Sequence, residues 1–204
     1  MDTFAKYYKE LLKRENESQR QLIYVWRKDL IEKVETDFAQ AIINSSIIGS
    51  RCPIARNASN QSVGNKVEQF VSNKINSKLR AFTIEKCKGN GYPDKTLLEM
   101  IDGDKLKQIA LEMKATSKWD TKDSNRRVLT SSSKKLCENF TEPIYHLVCT
   151  TKYKRNSVSA TIEGIRLDFV LPKSYVSIRL EASVSHKILD KGNHETREFP
   201  KKPV

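Results

Sequence analysis

Gly91-Tyr92-Pro93-Asp94-Lys95-Thr96-Leu97-Leu98-Glu99-Met100-Ile101-Asp102-Gly103-Asp104 leads, through Lys107, into Ile109-Ala110-Leu111-Glu112-Met113-Lys114-Ala115-Thr116. Residues 96–101 and 107–116 read as two strands on either side of Asp102-Gly103-Asp104. Gly reaches positive φ without steric cost and Asp bonds its own backbone, so this tripeptide predicts a hairpin turn. Folding about Gly103 sets Asp94 opposite Glu112, each nine residues from the turn. Directly opposed residues share a face, with Cβ atoms roughly 5 Å apart. Lys114, two positions on, shares that face, while Ile109, Leu111, Met113 and Ala115 alternate onto the other and read as core.

One turn therefore gathers two carboxylates and a lysine. Hard cations such as Mg²⁺ take oxygen ligands, so Asp94 and Glu112 can share one. A lysine beside it can orient or deprotonate an attacking water. Such a set of parts cleaves phosphodiesters. Taken singly, Glu-x-Lys is more often a solvated strand face and Pro-Asp the start of a turn. The conjunction of Pro-Asp, hairpin and an apolar strand carrying Glu-x-Lys favours a site. Burial would lower the pKa of Lys114 and the two carboxylates would raise it, and the sequence leaves that balance open.

Pro93-Asp94 and Ile109 to Thr116 resemble the PD-(D/E)xK nuclease superfamily, and more narrowly its small type II restriction endonucleases. The resemblance extends upstream to Val63-Gly64-Asn65-Lys66-Val67-Glu68-Gln69-Phe70-Val71, which is similar to the family's helix before the catalytic hairpin, and it covers about residues 60–120 as a catalytic core. It implies an α/β fold with a mixed central sheet flanked by helices. It also implies Mg²⁺ held by Asp94, Glu112 and the Met113 carbonyl, catalysis by Asp94, Glu112 and Lys114, and products with a 5′-phosphate and a 3′-hydroxyl. Glu68 would be the helix glutamate that reaches the metal. Its place at the margin of an apolar stripe suits the surface equally well.

Composition points to the same class of partner. The 204 residues, enough for one domain, carry 37 Lys and Arg against 25 acidic residues, a formal net charge of +12. Such an excess favours DNA through counterion release. It is concentrated where the second strand ends. Between positions 114 and 135 stand Lys114, Lys118, Lys122, Arg126, Arg127, Lys134 and Lys135 against Asp120 and Asp123. Lys118, Lys122, Lys134 and Lys135 suit phosphates, and Ser124-Asn125-Arg126-Arg127 is the candidate reader of base edges. Four cysteines without C-x-x-C spacing argue against zinc and suit buried thiols in a cytoplasmic protein. His146, His186 and His194 are isolated, which disfavours a histidine–metal nuclease. No apolar run approaches the roughly 20 residues of a membrane span.

The expected organisation is a single nuclease domain over 1–204. A helical region covers 1–45, whose stripe of Leu22, Ile23, Trp26, Leu30, Val34, Phe38, Ala41 and Ile42 is core or a homodimer seam suited to palindromic DNA. A loop follows over 45–61, where Arg51, Arg56 and Asn57 are solvated or touch DNA. Next come a helix over 62–79, a strand over 81–86 and the hairpin. An apolar central strand spans 144–151, with further strands over 158–169 and 174–184 and a loose tail over 192–204. The functional expectation is a Mg²⁺-dependent, sequence-specific endonuclease of double-stranded DNA, with a cognate DNA methyltransferase as its counterpart. Alternatives are a structure-selective, repair or nicking nuclease of the same superfamily, or a basic DNA-binding protein without activity.

Overall fold

The computed structural model describes residues 2–13, 23–87, 92–102, 104–119, 128–129, 139, 144–180, 185–189 and 194–199. In chain order they form β1 (Asp2–Thr3), α1 (Phe4–Lys13), α2 (Lys28–Asn44), β2 (Arg51–Pro53), α3 (Asn60–Asn76), β3 (Phe82–Lys86), β4 (Lys95–Ile101) and β5 (Asp104–Thr116). There follow β6 (Val128–Leu129), β7 (Tyr145–Arg155), β8 (Ser159–Val170), β9 (Tyr175–Leu180), β10 (Ser185–Leu189) and β11 (His194–Phe199). The fold is mixed α/β, as the pattern of elements predicts.

The hairpin forms as β4 and β5, with its turn half a residue from the predicted centre. Ile101 pairs with Asp104 across the turn. Asp102 takes φ +50°, the left-handed conformation that such a turn demands. The ladder then shifts register between Leu97 and Leu98: Leu98 faces Lys107 whereas Leu97 faces Ile109, so Gln108 is the extra residue of a bulge. The bulge cancels the offset at the turn. Thr96 faces Ala110 and Lys95 faces Leu111, the register predicted from the sequence.

The main sheet runs β11-β8-β7-β5-β4-β3, with β2 added against β8. β5 and β7 pair in parallel and the other neighbours are antiparallel. The apolar segment at 144–151 is indeed central, and so buried on both faces. On one face, Leu30, Val34 and Phe38 of α2 and Val63, Val67, Val71 and Ile75 of α3 share a core with Ile109, Leu111 and Met113. On the other, Phe4, Tyr8 and Leu12 of α1 close over Ala110, Val148 and Val170. A second, smaller sheet runs β1-β9-β10-β6.

Two expectations change, and of the two readings of the apolar stripe the core is the one observed. The N-terminal region is not helical throughout: Ile23 to Arg27 is extended, because Tyr24 N–H donates to the Ile144 carbonyl and Trp26 Nε1 to that of His146, tying the segment beside β7. Its apolar stripe from Trp26 to Ile42 lies in the core of the chain rather than on a free face, because α2 needs that stripe against the sheet. The tail is ordered over His194–Phe199, where β11 covers the edge of β8 and Phe199 is buried. Gly164 is needed there: a Cβ would stand 2.9 Å from the Phe199 carbonyl oxygen and 3.3 Å from the Trp119 ring.

A buried carboxylate sets the far edge of the sheet. Asp37 of α2 accepts the backbone N–H groups of Arg80, Ala81 and Phe82 at 3.0–3.2 Å, so the turn into β3 is tied to the helix beneath it. Cys52, Cys87 and Cys149 are buried thiols, and burial pushes Cys149 up to about 12. Among the described residues no helix is long and apolar enough to cross a membrane.

Candidate active site

β4 ends one residue short of the predicted acid. The β4–β5 ladder stops at Lys95 and Leu111, while β5 continues along β7 as far as Thr116. Pro93 has no N–H with which to extend the ladder, while the Asp94 carbonyl continues the pairing with β3, accepting Cys87 N–H at 3.0 Å. Residues 112–116 are thus left without β4 along one edge, and Asp94 stands at the fork. Its N–H donates to Glu112 Oε2 at 3.1 Å, and Lys114 Nζ donates to Glu112 Oε1 at 2.6 Å. The three residues singled out from the sequence meet here.

Glu68 is the fourth. It comes from α3, which packs on the opposite face, and reaches the others around the open edge of β5, where Ala115 N–H donates to its carboxylate. The residue is half-buried, and its carboxyl interacts with Lys114, Asp94 and Glu112.

The electrostatics follow from packing these charges with little water. Burial pushes Glu112, only 3 % exposed, above the usual carboxylate range; Lys114 pulls it down and Asp94 pushes it further up. Glu68 is pushed up to about 7, first by burial and then by Asp94 and Glu112, against the pull of Lys114 and of the Ala115 N–H. Burial disfavours the Lys114 cation, yet Glu112, Glu68 and Asp94 outweigh it and hold the amine above its ordinary 10.5. The balance left open by the sequence thus falls to the carboxylates, since one of them touches the ammonium directly.

A buried aromatic cluster anchors the acidic turn. Tyr92, two residues before Asp94, is fully buried. It stacks on His146 of β7 with ring centroids 5.7 Å apart and planes 11° apart, and its hydroxyl hydrogen-bonds His146 Nδ1. Tyr8 and Phe4 of α1 close over the same imidazole, at 5.2 and 5.1 Å. His146, read from the sequence as isolated, is therefore structural. Its partners lie far away in sequence, and no local pattern announces them.

Other expected residues fall differently. Lys118 is exposed just past the end of β5, its backbone joined to the Thr116 hydroxyl. Lys122, Asn125, Arg126, Arg127, Lys134 and Lys135 lie outside the described residues. Arg51 and Arg56 are exposed, and Arg51 belongs to β2 rather than to a loop. Between α3, the open edge of β5 and the end of β7 lies a cleft of about 510 Å³, with Glu68 and Lys114 among its lining residues.

The three carboxylates are the kind of oxygen donor that a hard divalent cation takes, and two of them are raised, first by burial and then by their acidic neighbours. As the side chains stand, no three His, Cys, Asp or Glu among the described residues are grouped closely enough to hold an ion. Lys114 already takes one oxygen of Glu112, so an ion there would compete with the ammonium. The chain matches no protein-family model, and no curated protein is similar enough to count as a match.

Proposed function

We propose that this chain is a Mg²⁺-dependent endonuclease of double-stranded DNA with a restriction-endonuclease-like fold, acting as a type II, sequence-specific enzyme and leaving 5′-phosphate and 3′-hydroxyl ends. The observation that carries the reading is the meeting of Asp94, Glu112 and Lys114 at the open end of one hairpin, with Glu68 joining from a second element. A solvated strand face would leave Glu112 in water, yet it is almost wholly buried. Burying two acids beside a third costs stability unless something at the site uses their charge.

Asp94, Glu112, the Met113 carbonyl and Glu68 are the residues that would hold the metal. When bound, Mg²⁺ polarises a phosphoryl oxygen and lowers the pKa of a water bound to it. The protein's own part is positioning and charge. With its amine held above 10.5, Lys114 is an ammonium at neutral pH. It therefore serves as a hydrogen-bond donor that orients the attacking water and offsets charge growing on the phosphate, rather than as the base. Tyr92, locked to His146, holds the turn that carries Asp94.

The +12 charge supports a polyanionic substrate. Two-fold symmetry would let one site serve each strand, so a homodimer in the cytoplasm beside a cognate methyltransferase completes the reading. Digestion of a sequenced plasmid with Mg²⁺, followed by end mapping, tests it. Discrete, reproducible fragments support sequence-specific cleavage. Cutting only at junctions, nicks or lesions would assign a structure-selective nuclease with the same site, and binding without any cutting would leave a DNA-binding protein.

A further inference from the structure

Gly64 occupies a place where the fold has no use for a glycine. It lies inside the seventeen-residue helix α3, where glycine is a poor helix former. Its backbone is helical, so no positive φ calls for it, and a Cβ built there would meet nothing within 4 Å. Neither backbone strain nor close packing within the described residues accounts for it. Its bare Cα does give room on the wall of the cleft shared with Lys114.

The neighbours of Gly64 show what that room suits. Gln61, Gly64, Asn65 and Glu68 follow at intervals of three, one and three, so they make one stripe along α3. Gln61 and Asn65 are exposed amides on either side of the gap, and Glu68 leads into the acidic cluster. Arg155 closes the outer end. Its guanidinium donates to Asn60 Oδ1 at 2.9 Å and to the Ala58 carbonyl at 2.6 Å, which fixes the cation at the N-terminal end of the helix. The cleft thus has a cation at each end, amide donors along one wall and a missing side chain between them.

Glycine is the residue that lets another backbone approach closely, and amides and arginine are common donors to phosphate oxygens. We propose that the Gln61–Gly64–Asn65 stripe seats the sugar–phosphate backbone of the strand beside the reacting phosphate, without reading its bases. This rests on the nuclease reading and adds to it the wall along which the strand runs.

The test uses the full chain with Gly64→Ala and Gly64→Leu. Both variants should melt at or above the wild-type temperature, because the position is helical and open. Binding of two duplex DNAs of unrelated sequence is then measured in EDTA at low salt, where no cleavage occurs. Gly64→Leu should weaken both by about tenfold or more, and Gly64→Ala by less. Equal affinity of Gly64→Leu and wild type, with wild-type cleavage intact, would overturn the seat and leave the nuclease reading standing. Loss on one duplex alone would also overturn it, making the stripe a base reader. A wild-type chain that neither binds nor cuts either duplex would overturn both.

Discussion

Replacing Glu68 by Gln should stabilise the metal-free protein at high pH and do nothing at low pH. The Glu68 carboxyl goes from 4.5 to about 7 in the folded chain, through burial and the neighbouring Asp94 and Glu112. A carboxyl raised on folding holds its proton more tightly in the native state. The unfolded chain is thus the first to lose the proton as pH rises, and stability falls between 4.5 and about 7. Below that window the group costs nothing, and above it the full cost applies. A gap of about 2.5 pH units at roughly 1.4 kcal/mol each gives a ceiling of about 3.5 kcal/mol. Glu68 is half-buried, and discounting for solvent screening leaves ~1–2 kcal/mol. Gln keeps the size and can still accept the Ala115 N–H, so the substitution removes the charge with little else. Urea unfolding in EDTA near pH 4 and at pH 8.5 measures the difference. The variant should match wild type at the lower pH and exceed it by ~1–2 kcal/mol at the higher. A variant equally or less stable than wild type at both would mean that Glu68 does not share the crowded site of Asp94 and Glu112, and the four-residue cluster would have to be abandoned.

Asp94→Ala, Glu112→Ala and Lys114→Ala should each abolish plasmid cleavage while leaving DNA binding largely intact, as gel shift beside digestion would reveal; near wild-type cutting by any one removes that residue from the proposed chemistry. Asp37→Ala should lower stability by about 3 kcal/mol in urea, since three N–H groups lose a charged acceptor, two of them on part-buried backbone and one buried; a loss under about 1 kcal/mol would mean that water replaces the carboxylate. Arg126→Ala and Arg127→Ala should cost about 1–3 kcal/mol of discrimination at a particular base pair if they read guanine. Equal losses on specific and scrambled duplexes, with a salt slope lower by about one, would make them phosphate clamps.

How much of this could be read in advance depends on how far apart the partners lie. The hairpin was legible because an Asp-Gly turn and two alternating strands are local features, and even the bulge at Gln108 left the Asp94 register in place. The apolar stripe from Leu22 onward was periodic too, yet Trp26 lies in an extended segment because its indole finds the carbonyl of His146, 120 residues away. The tail looked loose for want of any local signal, and β11 exists because β8 offers it an edge.

By itself, then, the sequence determined the hairpin, the shared face of Glu112 and Lys114, the core-facing positions of β5 and the excess of positive charge. Each is a matter of spacing within a strand or of counting. The tertiary structure decided the rest: that β5 is left open past Leu111, that α3 brings Glu68 around that edge, that His146 holds Tyr92, and that three acids crowd one lysine. Those facts come from strand order and helix packing between distant segments; the burial that raises Glu112 and Glu68, and the carboxylates that hold Lys114 charged against it, exist only once the chain has closed around them.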